Sequence, residues 1–246
     1  MRITFVGHAT MLVETEKCKF ITDPLLVKRI ARIGPKRKAP VRLDKGALED
    51  LDFITISHGH FDHLDIRSLK MIDSNVPVLC HPTLERIVRK TKHRVIPIKW
   101  WEEADMSCAK VTAVPSHHFS GRPPLHYSLD YQGYVIECEM KFYHAGDTGM
   151  SRLFKKIGNR FRIDIAFLPI GAYHPKSFRL NHLSSEDALD SLEMMKAGLL
   201  VPMHWGTFDL SWEPFDEPPK RLMQCAKERN MLSRVRILRP GESFGY

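Results

Sequence analysis

A chain of 246 residues, 43% hydrophobic and 27% charged, has the make-up of a soluble globular protein and suits one α/β domain spanning 1–246. No apolar run approaches the ~20 residues of a membrane helix, and the opening MRITFVGHAT lacks a signal-peptide core, so a cytoplasmic location is expected. The formal charge of +8 is uneven, with most of its excess in one loop.

Two strand-like segments, RITFV and TMLVET, open the chain, followed by KCKFITDP. The loop from Lys28 to Lys45 then carries Lys28, Arg29, Arg32, Lys36, Arg37, Lys38, Arg42 and Lys45 against Asp44 alone. Such a loop can steer an anionic substrate or meet a phospholipid surface, or simply solvate the chain. It has no aromatic–basic interleaving and no nucleic-acid motif, so nucleic acid is not an expected partner. KGALEDL reads as a short helix and DFITIS as a continuous apolar strand. Past the stretch ISHGHFDHLD, DIRSLKMI reads as a helix and VPVLC as a strand. TLERIVRK reads as a helix that His81-Pro82 opens.

The middle third is rich in strand signals: RVIPI, KVTAV, YSLDYQGYVIE and KFYHAG. A helix at SRLFKKI precedes the buried strand IDIAFLPI. Ser184-Ser185-Glu186-Asp187 starts a helix with hydroxyl caps and early acids, and Gly198 is its expected stop. LLVPM, PPKRLMQCAKER and VRIL read as strand, helix and final strand. Strands alternate with helices in both halves, which fits two packed sheets with helices on their outer faces.

The five cysteines are scattered, odd in number and never in C-x-x-C, the pattern of reduced thiols rather than of disulfides or a cysteine zinc site. Histidine is the unusual residue, with thirteen copies, and it is the commonest metal ligand. His58, His60, Asp62, His63 and Asp65 crowd ISHGHFDHLD just past an apolar strand. Four ligand-type residues within six positions exceed what one zinc ion takes from a single loop. Adjacent Asp62 and His63 diverge while His58 and His60 can converge, so two metals side by side are the natural solution. Such pairs sit about 3.5–4 Å apart and hold a bridging hydroxide. The remaining ligands must come from other strand ends: His117 or His118 in PSHHFSGR, Asp147 in HAGDTG, and His204 in PMHWGTF. Asp65 has no ligand role and starts the following helix.

H-x-H-x-D-H followed by a later His, Asp and His resembles the signature of the metallo-β-lactamase fold hydrolases. GHATMLVE, ITDP, GPKRKAP, PIGAY, NHLSSEDA and HWGTF are similar, in order, to blocks of the N-acyl-phosphatidylethanolamine-hydrolysing phospholipase D group and its bacterial relatives. The resemblance implies a four-layer αββα sandwich with two metals at one edge. It implies that His58, His60 and His118 hold one metal, that Asp62, His63 and His204 hold the other, and that Asp147 bridges them. His117 stays open as the alternative to His118. Zinc, two ions per chain, suits the ligand set, and manganese or iron would also fit.

The resemblance further implies that His182 lies over the site to contact substrate or protonate a leaving group, with Asp62 and Asp147 sharing the catalytic work. Asp23 is expected to orient the H-x-H loop from behind, and His8 to do the same or face the pocket. His81, His93, His126, His144 and His174 are expected to be structural or exposed, and Trp100-Trp101 to pack at core or rim. The expected function is a dinuclear-metal hydrolase acting on a small-molecule or lipid phosphodiester, with contact at a membrane surface compatible with the basic loop. A lactone or other ester is the second reading, and a metal-binding protein without turnover a third. A homo-oligomer is compatible with the sequence.

Overall fold

The structure, a computed structural model, describes residues 1–122 and 129–246. His126 and the first residues of YSLDYQGYVIE lie outside the described residues. The strands run β1 (Arg2–Gly7), β2 (Thr10–Glu14), β3 (Lys19–Thr22), β4 (Phe53–Thr55), β5 (Val78–Cys80) and β6 (Val95–Pro97) in one sheet. β7 (Glu103–Asp105), β8 (Lys110–Val114), β9 (Gly133–Glu137), β10 (Lys141–His144), β11 (Ile165–Pro169) and β12 (Leu199–Met203) form the second, and β13 (Glu242–Gly245) returns to the edge of the first. The sheet orders are β13-β1-β2-β3-β4-β5-β6 and β12-β11-β10-β9-β8-β7. β3 through β6 are mutually parallel, as are β10 through β12, and the remaining pairs are antiparallel.

Alternation along the strands builds the layers. Phe20 and Phe53 face the second sheet, where Phe20 meets Phe142 edge-to-face at 5.7 Å, while their neighbours Ile21 and Ile54 face the opposite way. That outer face of the first sheet packs against α1 (Ile66–Leu69) and α2 (Glu85–Val88). α3 (Leu153–Arg160), α4 (Ser185–Met195) and α5 (Glu217–Glu228) cover the second sheet through Phe154, Leu189, Leu192 and Leu222. This is the expected αββα sandwich.

Several local expectations are corrected. KGALEDL is a run of turns, because Gly46 and Asp50 take left-handed φ values of +80° and +54°. TLERIVRK breaks into a single α-turn between two 3-10 segments. The α4 helix stops at Lys196, left-handed at φ +55°, rather than at Gly198, whose missing side chain instead leaves room for the Asp164 carbonyl. VRIL makes only an isolated bridge from Val235 to Leu200, and the last strand is β13. Cys18 and Cys108 form a disulfide, against the expectation of reduced thiols. The stacking of the two sheets sets these residues, 90 apart in sequence, at a Cα–Cα distance of 5.3 Å.

Candidate metal centre

The loops that follow the parallel strands converge on one edge of the sandwich. β4 ends three residues before His58, β10 three before Asp147, and β12 immediately before His204. The β8 strand leads to His118, and the tight β1–β2 turn carries His8. Two glycines permit the crowding. Gly146, at φ +61°, sits where a Cβ would meet the Ser57 Cβ at 2.6 Å, and a Cβ on Gly171 would meet the His204 carbonyl oxygen at 2.2 Å.

Two donor groups result, each with ligand atoms within 4.8 Å of one another: His58, His60, His118 and Asp147, and His8, Asp62, His63 and His204. In the first, His60 Nδ1 lies 2.9 Å from His58 Nε2 and 3.3 Å from His118 Nε2. Asp147 lies between the groups. Its Oδ2 is 3.9 Å from His58 Nε2, 3.9 Å from His118 Nε2 and 3.2 Å from His63 Nε2, and its Oδ1 is 3.3 Å from His204 Nε2. Asp62 Oδ2 is 3.9 Å from the Nε2 atoms of both His63 and His204. His118 is buried in this cluster, whereas His117 is exposed outside it with its amide donating to Thr148 Oγ1. His182 reaches over the top, its Nδ1 3.8 Å from Asp147 Oδ2.

Four buried atoms here have no hydrogen-bond partner among the described residues: His63 Nε2, His204 Nε2, Asp147 Oδ1 and His182 Nδ1. Unpaired buried polar atoms are expensive; divalent cations here would satisfy the atoms of His63, His204 and Asp147, and leave His182 Nδ1 to face a substrate. Neutral imidazoles and ionised carboxylates are also the forms that bind metal. Burial lowers His118 to about 3 and His182 to about 4, and lowers His58 well below its ordinary range. Burial would raise Asp62, but His63 and the His8 hydrogen bond outweigh it and hold the carboxyl well below its usual range. Asp147 is likewise held down, because His204 and His63 overcome its burial. His63 shifts the other way: Asp147 and Asp62 outweigh its burial and raise it, the mark of a position whose carboxylates call for positive charge. The residues present fit a pair of cations.

Behind the donors, Asp23 holds both groups at once. Its Oδ2 is 2.8 Å from His63 Nδ1 and 2.5 Å from Ser57 Oγ, which in turn is 3.0 Å from His58 Nδ1. Ser57 escaped the reading of the sequence, although it stands next to His58. Arg122 was missed too: buried, it donates to the carbonyls of Gly59 and Leu64 and braces the H-x-H loop from below. Asp65 caps α1, accepting from Ser68 N at 2.8 Å. His144 is buried and donates to the Ala9 carbonyl, and both ring nitrogens of His93 lie against carbonyl oxygens. His81 lies 3.3 Å from Asp130, and the His174 amide donates to Glu213. Trp100 donates to the Tyr131 carbonyl, and Trp101 lies under Lys156 and Arg160.

Leu25, Val27 and Ile30 cluster with Phe208 and Phe61, and the loop that follows exposes Ile33 (91%) together with Arg29, Arg32 and Lys36. Phe119 next to His118, Phe178 and Leu180 just before His182, and Trp212 (81%) are exposed as well. Arg37 is not among the free cations. It is buried, with its guanidinium on the carbonyls of Leu25 and Val27, and Lys38 pairs with Asp209.

Known proteins share this chain's sequence and architecture. It is 31% identical to N-acyl-phosphatidylethanolamine-hydrolyzing phospholipase D 1 of Caenorhabditis elegans over 93% of this chain and 70% of that one. It is 28% identical to a metal-dependent hydrolase of Archaeoglobus fulgidus, over 100% of this chain and 99% of that one. Among solved structures, the metallo hydrolase Igni18 of Ignicoccus hospitalis superposes with a TM-score of 0.76 at 20% identity, over 100% of this chain and 98% of that one. The diiron β-hydroxylase CmlA of Streptomyces venezuelae does so at 0.73 and 18% identity, over 99% of this chain and 53% of that one. The family described as a beta-lactamase superfamily domain matches residues 19–205, and the chain belongs to that family.

Proposed function

We propose that the chain is a dinuclear-metal-dependent hydrolase that cleaves phosphodiesters in the manner of a phospholipase D. The observation that carries the reading is Asp147, buried between the two donor groups: its Oδ2 is 3.9 Å from His58 and His118 of one and 3.2 Å from His63 of the other, and its Oδ1 is 3.3 Å from His204. In this reading His58, His60 and His118 hold one ion and Asp62, His63 and His204 the other, with Asp147 shared. Bound cations would supply an activated water as nucleophile and a Lewis acid for the phosphoryl oxygens. The protein's own part is to fix the donors of the H-x-H-x-D-H loop through Asp23, Ser57 and Arg122, and to offer His182 at the mouth. Neutral at pH 7, His182 can donate a hydrogen bond to the substrate or the leaving oxygen. Zinc suits the nitrogen-rich set, and iron is the alternative that the diiron neighbour supports.

A phosphodiester is favoured over a neutral ester by the exposed cations Arg29, Arg32 and Lys36 of the basic loop, and a lipid by the exposed Ile33 among them. Metal content and hydrolysis of bis(p-nitrophenyl) phosphate, measured for the wild type and for Asp147→Ala, test the reading. The wild type is expected to carry two ions and turn over, and Asp147→Ala to lose metal and at least 100-fold in rate. A metal-loaded wild type that opens lactones but leaves phosphodiesters intact would move the substrate class to esters. One inert to both would make the chain a metal-binding protein.

A further inference from the structure

His8, expected from the sequence to orient the H-x-H loop or face the pocket, is 1% exposed and stands against the donors of one group only. Its Nε2 is 3.0 Å from Asp62 Oδ2, its carbonyl accepts from the His204 amide at 2.7 Å, and its own amide donates to Thr207 Oγ1 at 2.8 Å. The ring packs on His204 at 4.1 Å between centroids and against His63 at 5.1 Å. Among the described residues, none of its hydrogen bonds or ring contacts reaches His58, His60 or His118.

Distance alone would admit His8 as a fourth ligand beside Asp62, His63 and His204. The hydrogen-bond pattern separates the roles. His63 Nε2 and His204 Nε2 are buried without partners, as atoms awaiting a cation are, whereas His8 Nε2 already has the Asp62 carboxylate. A 3.0 Å contact between nitrogen and carboxylate oxygen is a hydrogen-bond length.

We propose that His8 is a positioning residue for one ion: its ring fixes Asp62, its backbone fixes His204, and it governs occupancy of the Asp62–His63–His204 position alone. The proposal rests on the dinuclear reading above. The β1–β2 turn thereby makes the two ion positions unequal, because the three ligands of the other ion are held by Ser57 and by one another.

Two variants isolate the ring. His8 has a φ of +61°, which glycine adopts freely, so His8→Gly keeps the backbone bond to His204 and removes only the imidazole. His8→Gln returns a side-chain N–H to Asp62 but ligates metal poorly. The readout is bound zinc per chain, by elemental analysis across a range of buffered free zinc, with circular dichroism of the metal-free proteins as the check on folding. The wild type should bind two ions. His8→Gly should keep the first at wild-type affinity and bind the second about 10–100-fold more weakly, the usual effect of removing a group that orients a ligand. His8→Gln should recover most of that loss.

Wild-type affinity for both ions in His8→Gly would overturn the proposal, as would equal weakening of both. A folded His8→Gln as weak as His8→Gly would overturn it in favour of a ligand role. Fewer than two ions in the wild type would sink the dinuclear reading and the His8 proposal with it. Two ions without phosphodiester turnover would sink only the proposed activity.

Discussion

His63 touches Asp23, Asp147 and, at longer range, Asp62, and this single residue shows how charge organises the site. It gains a proton where its neighbours His58, His118 and His8 lose theirs; burial, followed by the neighbouring His204, lowers His8 to about 3. The consequence for stability has a sign. Histidines with lowered values in the folded state take up protons more readily when unfolded, so their contribution is lost as pH falls below 6.5. His8, His58, His118 and His182 all act in that direction. His63 opposes them, since its contribution is full below 6.5 and lost as pH rises through its raised value. Four outweigh one. The metal-free protein should therefore melt at a lower temperature at pH 4.5 than at pH 7. A melting temperature that is unchanged or higher at pH 4.5 would contradict these environments.

At the scale of the element, α4 shows what a local pattern settles unaided. The Ser184 hydroxyl accepts from the Asp187 amide at 3.3 Å, and the Asp187 carboxylate accepts from the Ser184 amide at 3.0 Å, the reciprocal capping box that SSEDA encodes. Losing an N-cap hydroxyl costs about 1 kcal/mol. Ser184→Ala should thus lower the melting temperature by roughly 2–4 °C for a chain of this size while leaving metal content intact. A larger drop accompanied by metal loss would mean that the cap also holds the His182 loop over the site. KGALEDL is the contrary case. Its composition suits a helix, but two left-handed residues within it stop one from propagating. β7 gave no usable signal, being a three-residue edge strand with Glu103 and Asp105 at its ends. Charge blunts an edge strand and hides its periodicity.

At the scale of the whole molecule, loops far apart in sequence leave apolar side chains and cations exposed: Ile33, Phe119, Leu180 and Trp212, with Arg29, Arg32 and Lys36. No helix among the described residues is long and apolar enough to cross a membrane; in the proposed lipid reading, contact falls to these exposed side chains. Cations near an anionic bilayer contribute about 1 kcal/mol each, and the attraction is screened by salt. Sedimentation with phosphatidylglycerol-containing vesicles should exceed that with phosphatidylcholine alone, fall at 0.5 M salt, and weaken for Ile33→Asp and Trp212→Asp. Equal, salt-insensitive binding to both vesicles would remove the lipid surface from the proposal and leave a soluble phosphodiester.

The sequence by itself determined the layered architecture and pointed to the residues that the structure gathers as candidate donors. Strand alternation, the helix cap and the spacing of H-x-H-x-D-H are short-range patterns that backbone geometry and coordination chemistry constrain directly. Asp23 was legible in the same way, as a carboxylate placed just past a buried strand. Only the tertiary structure decided that His118 rather than His117 turns inward, that Ser57 joins Asp23 to His58, and that Arg37 is buried rather than free. It also decided the Cys18–Cys108 bond and the place of His8 against Asp62. Each of these depends on which segments meet when the two sheets stack. Of ISHGHFDHLD the sequence could say that it offers metal donors; which side chains hold those donors in place was settled by its neighbours in space.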